Sequence, residues 1–159
     1  MNKNAGNTFV ELLIYIGLLA VFLSVAYELF VQSSIMRFTQ GQQNKIAASG
    51  QEIVFDLEKT IKNAQGIDSP VFHTQGNTLS LNSQTTRYYL NSNKQFIKNE
   101  SGEENVLTEK GIRVENLNFI NAGPSTIQPS IIVSFILQGQ GFGTGVISKH
   151  YQASVTLRK

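Results

Sequence analysis

One carboxylate, Glu11, stands directly before an almost uncharged apolar run, residues 12–27. A charge in hydrocarbon is expensive and is retained where it serves a purpose, so Glu11 is the first candidate site. The chemistry open to it is ionic. A carboxylate in apolar surroundings needs a cation or hydrogen-bond donors beside it, and removing one partner of such a buried pair typically costs about 3–5 kcal/mol. Glu28 is the only other acid within 9–31. It lies 17 places further on, so the two side chains point in different directions on a helix, and Glu28 reads as a marker of the outer interface with Arg37 beyond it.

The other residues capable of chemistry do not gather into a site. His73 and His150 are far apart and lack an acidic cluster at metal-ligand spacing, and no metal or cofactor is expected. His150 alternates with the apolar face of the last strand and is expected to be solvated. Asp56 and Glu58 are two positions apart on a helix, a spacing at which side chains do not face each other, so they read as solvated carboxylates and not as an acid/base pair. Tyr88 and Tyr89 should divide between core and surface. Gly139, Gly141, Gly143 and Gly145 match neither the dinucleotide nor the phosphate-loop spacing and read as a hairpin loop, with Phe142 at its tip as a possible partner contact. No nucleophile motif sits beside either histidine, and no enzymatic role is expected. There are no cysteines, hence no disulfide framework and no thiolate metal site. A formal charge of +2 gives no basic stripe for nucleic acid.

Glu11 must be positioned by a helix. Residues 9–31, 23 in all, contain no proline and one glycine, Gly17. At 1.5 Å per residue they form a rod of about 34 Å, against a hydrocarbon core of about 30 Å. Apolar residues occupy every face, which separates this segment from an amphipathic surface helix. The segment is therefore read as a membrane span. The bias of positive charge is thin, with Lys3 before the span and Arg37 after it; a short leader most simply stays cytoplasmic, which sends the C-terminal part outward. Two processing schemes compete. Ser24-Val25-Ala26 resembles an ordinary signal-peptide site, and cleavage after Ala26 would release a soluble chain beginning at Tyr27. Cleavage after Gly6 would keep the apolar helix.

Beyond the span the helical pattern continues. Ile35, Phe38, Ile46, Ile53, Leu57 and Ile61 keep one apolar face, with Gly41 and Gly50 as points of weakness and Gly66 as a C-cap. After Gly66 the chain alternates. Strands are expected over 78–81 and 86–90 around a turn at Asn82-Ser83-Gln84, then over 95–98. The charged segment 99–105 reads as a loop. Ile112 and Val114 share a face with Leu117 and Phe119 only if a bulge sits near Glu115-Asn116. Residues 122–129 read as a loop, 131–137 as a central strand, and 146–157 as a last strand with Tyr151, Ala153, Val155 and Leu157 on one face. The class is α+β: a long N-terminal helix, membrane-spanning then amphipathic, on a small antiparallel sheet. About 95 residues beyond the helix suffice for one core but not for two domains.

The N-terminal residues then admit a specific resemblance. Gly6-Asn7-Thr8-Phe9-Val10-Glu11, followed by Leu12-Leu13-Ile14, resembles the processing site of type IV pilins and type II secretion pseudopilins. In that bacterial family a prepilin peptidase cuts after the Gly and methylates the new amine, which here would be that of Asn7. Thr8, the apolar Phe9 and Val10, and Glu11 fit the pattern. Asn7 stands where the family most often has Phe. Many major pilins carry a proline well inside the helix, near the position of Glu28, and its absence leans toward a minor pilin. The resemblance is strong over residues 1–31 and weak beyond. It implies a leader (1–6), an assembly helix (7–31), an amphipathic continuation (32–66) and an extracytoplasmic β-rich domain (67–159). It further implies that Glu11 answers the N-terminal amine of an adjacent subunit. The implied partners are the prepilin peptidase, other pilin or pseudopilin subunits and an inner-membrane assembly platform. The implied location is the inner membrane as a single-pass protein, then a periplasmic or extracellular filament.

Overall fold

The structure is a computed structural model that describes residues 5–122 and 129–157 of the 159-residue chain. It divides into two compact units, Met1–Thr39 and Gln40–Lys159. Helix α1 (Ala5–Asn63) supplies the first unit and enters the second. Of the expected leader, residues 1–4 lie outside the described residues, and Ala5 and Gly6 already belong to α1.

In the first unit, every residue from 8 to 30 is exposed. With no proline and with leucine and alanine recurring, helical backbone is the favoured state here, and it satisfies its own amides. Three hydroxyls turn back on the same helix. Ser24 Oγ donates to the Val21 carbonyl at 2.7 Å, Ser34 Oγ to Phe30 at 3.0 Å, and Thr39 Oγ1 to Ile35 at 2.9 Å. By length and composition α1 can cross a membrane, and none of its most apolar stretch is buried.

In the second unit the amphipathic stripe holds. Ile46, Ile53, Leu57 and Ile61 are buried at steps of seven, four and four. Neither Gly41 nor Gly50 interrupts the helix. The helix ends at Asn63, where Asn82 Oδ1 accepts the Gln65 N–H at 2.6 Å. Nine strands follow among the described residues: β1 (Ile67–Ser69), β2 (Gln75–Gly76), β3 (Leu79–Leu81), β4 (Thr86–Leu90), β5 (Phe96–Glu100), β6 (Glu103–Val106), β7 (Arg113–Asn121), β8 (Ser130–Gln140) and β9 (Val146–Thr156).

They form two antiparallel sheets, where the sequence suggested one. The five-stranded sheet has the order β1-β3-β4-β5-β6, and the four-stranded sheet β2-β7-β8-β9. The expected loop over 99–105 is instead the β5–β6 hairpin, which turns at Ser101-Gly102 (Gly102 φ +96). All four β6 residues are exposed, so no alternation announced the strand. The bulge is where the pattern required it: the β7–β8 register shifts between Glu115 and Asn118, Asn116 has φ +53, and Val114, Leu117 and Phe119 are all buried. β8 lies inside its sheet and alternates regularly, with Ile131, Val133, Phe135 and Leu137 buried. Residues 123–128 of the expected 122–129 loop lie outside the described residues. Helix α1 and both sheets feed one core, in which Phe96 is in ring contact with Tyr88, Phe119 and Phe135.

Candidate functional site

Glu11 lies in the second turn of α1, on a surface whose neighbours Phe9, Val10, Leu12, Leu13 and Ile14 are large, apolar and exposed. Of the six expected site residues, Gly6 and Asn7 are helical, while the side chains of 5–7 lie outside the described ones. Thr8, Phe9, Val10 and Glu11 are exposed. The Glu11 carboxylate has a partner that sequence reasoning missed: the Tyr15 hydroxyl donates to its Oε1 at 3.0 Å. The signal was available, because positions four apart on a helix are neighbours.

Of the carboxylates Asp56 and Glu58, the first has a structural role and the second does not. Asp56, expected to be a solvated carboxylate, is tied into the second unit. Its Oδ2 accepts the Tyr88 hydroxyl at 2.6 Å and its Oδ1 accepts Lys98 Nζ at 3.3 Å, while Lys98 also reaches Glu100 at 3.3 Å. The Tyr88 side chain is buried. Its desolvation, and next the Asp56 carboxylate, push its pKa well above the ordinary value of 10.0. This cluster fastens the helix to β4 and β5. Glu58 does face solvent, pairing with Lys62 one turn on at 3.0 Å, a kind of contact worth only about 0.3–0.5 kcal/mol. Tyr88 and Tyr89 divide as expected, the first buried and the second half-exposed against Glu104.

His150 is exposed on β9, and His73 is exposed in the β1–β2 connection against the Phe72 ring, with centroids 4.0 Å apart. Among the described residues no three His, Asp or Glu side chains gather as metal ligands. The glycine run divides into two parts. Gly141, Gly143 and Gly145 form the β8–β9 turn, closed by the Gly141 N–H to the Gly145 carbonyl at 2.8 Å. Gly139 belongs to β8, where a Cβ would come within 3.0 Å of Ile46 Cδ1. Phe142 is exposed at the turn.

No protein-family model, curated protein or solved structure matches the chain. What the structure defines is therefore a class of architecture: an α+β protein with one long apolar N-terminal helix and antiparallel sheets packed on its second half, an arrangement compatible with a pilin-like fold.

Proposed function

We propose that this chain is a minor pilin-like or pseudopilin-like structural subunit of a filament. Its apolar helix would anchor it in the inner membrane as a single-pass protein until assembly. A prepilin peptidase would cut between Gly6 and Asn7, and the subunit would join others through helix packing and a Glu11–amine pair, delivered by a membrane assembly platform. The observation that carries the reading is the unburied apolar stretch of α1 bearing one acid near its start. A water-soluble fold would leave such a surface uncovered, whereas lipid first and neighbouring helices later would cover it. The role is structural and involves no catalysis, cofactor or nucleic acid.

A second reading is a secreted or anchored binding domain, released by ordinary signal cleavage after Ala26. It is favoured by one observation: the core residues, from Ile46 onward, belong to the second unit. The N-terminus of the mature chain separates the readings. Mass spectrometry giving Asn7, methylated or not, supports the subunit; Tyr27 supports the released domain and overturns the proposal.

A further inference from the structure

We infer that Tyr15 is the positioning residue for Glu11: it holds the carboxylate in place on the apolar helix and leaves one oxygen for the cation of another subunit. This rests on the proposed function above.

The geometry points to it in three ways. Tyr15 lies four residues after Glu11, so the two side chains share a face of α1. Side chains on a helix lean back toward its N-terminus, so a tyrosine at this place covers the turn that carries Glu11 and not the turn beyond. The hydroxyl reaches Oε1 at 3.0 Å, within the ordinary range for a hydrogen bond. Oε2 has no hydrogen-bond partner among the described residues. Among the described residues the carboxylate is therefore half satisfied: one oxygen is engaged from within the chain and the other takes no hydrogen bond.

The physical chemistry gives that half-satisfaction a use. A carboxylate alone in hydrocarbon is costly, and hydrogen bonds to charged groups are among the stronger ones. The Tyr15 donor lowers that cost while the chain waits as a single copy. It also removes rotamers of a flexible side chain, so the open oxygen meets the incoming amine in a restricted geometry. An aromatic ring near the end of a span has a plainer use as an interfacial anchor, and for that use the ring is sufficient without hydrogen-bonding to Glu11. The two uses separate on the hydroxyl.

The test compares the full-length chain in its own cells with Tyr15→Phe, Glu11→Ala and the double variant. The readouts are the membrane-embedded amount, from alkaline extraction, and the amount in the sheared filament fraction. All three variants should insert at wild-type levels. Losing one charge-assisted hydrogen bond should lower filament incorporation of Tyr15→Phe by about threefold to tenfold. Glu11→Ala should lose more, and Tyr15→Phe should add nothing in its background. Wild-type incorporation of Tyr15→Phe overturns the inference, as does a further loss when it is added to Glu11→Ala. Wild-type incorporation of Glu11→Ala overturns the Glu11–amine pairing on which the inference rests, whereas absence of the wild-type chain itself from the filament fraction overturns the subunit reading beneath it.

Discussion

The Tyr151 ring lies against the backbone of α1 at Gly50, so closely that a Cβ at that position would fall 2.1 Å from its Cζ. The Tyr151 hydroxyl completes the contact by donating to the Ile46 carbonyl at 3.1 Å, one turn earlier. The ring is held from the sheet side by stacking on Phe135, centroids 5.3 Å apart and 13° from parallel. One residue pair across the interface repeats this fit in reverse, with Ile46 of the helix seated over Gly139 of β8. Helix and sheet thus each offer a glycine to the other's side chain.

The two helical glycines of the second unit should respond to alanine with opposite signs. Gly41 has nothing within 4 Å of an added Cβ, so Gly41→Ala should stabilise by up to about 1 kcal/mol through helix propensity alone. Gly50→Ala should destabilise by about 2 kcal/mol, because the ring must move. Thermal unfolding of the full chain in detergent would measure both. Stabilisation by Gly50→Ala would show that Tyr151 does not sit there.

The Tyr88–Asp56 contact predicts a loss of stability in alkali. Burial and the Asp56 carboxylate raise the Tyr88 pKa above its unfolded value of 10.0, so the folded chain holds that proton more tightly. Its contribution is complete below about pH 10 and fades as pH rises beyond, since the unfolded state gives up the proton first. Tyr88→Phe should cost about 1–2 kcal/mol at neutral pH by leaving Asp56 Oδ2 without its donor. The same variant should flatten the decline above pH 10, as read from unfolding midpoints across a pH series.

The β3–β4 turn holds three consecutive residues in left-handed backbone: Asn82, Ser83 and Gln84, with φ of 56°, 57° and 67°. Asn82 repays the conformation by binding Gln65, and the Gln84 N–H is held by Asp68 at 2.8 Å. Ser83 is exposed. Ser83→Gly should therefore stabilise by about 1 kcal/mol, since glycine adopts this region freely. Asn82→Ala should destabilise by about 1–2 kcal/mol by losing both the bond and the tolerance. Chemical denaturation of the pair would check the contrast.

The processing scheme makes its own demand on Gly6. A bulky replacement, Gly6→Leu, should leave residues 1–6 attached, and the intact mass of the purified chain would report it. Normal cleavage after residue 6 in that variant would mean that the cut is not specified there.

Features written in local periodicity were legible. The uninterrupted apolar run gave the helix, the isoleucine and leucine steps gave its buried stripe, and the phase break between Val114 and Leu117 gave the bulge. Features fixed by distant partners were not. β6 takes its strand conformation from pairing with β5 while all its side chains face water, so composition could not reveal it. Asp56 owes its role to Tyr88 and Lys98, residues 32 and 42 places away. Gly50 read as a weak point because what it accommodates arrives from the last strand. The division into two sheets likewise depends on which strands meet, a choice that each strand's own pattern leaves open. At the candidate site the structure adds the Tyr15 hydroxyl beside Glu11, a partner that the sequence reading passed over.

The paired glycines also bear on how the protein would carry tension. A pull along α1 would try to slide it lengthwise across the sheet. Tyr151 fits only where the helix lacks a Cβ, and the residues on either side of Gly50, Ser49 and Gln51, both have one. A displaced helix would drive the ring into them, so the joint would resist shear like a key in its slot, without a disulfide between helix and sheet.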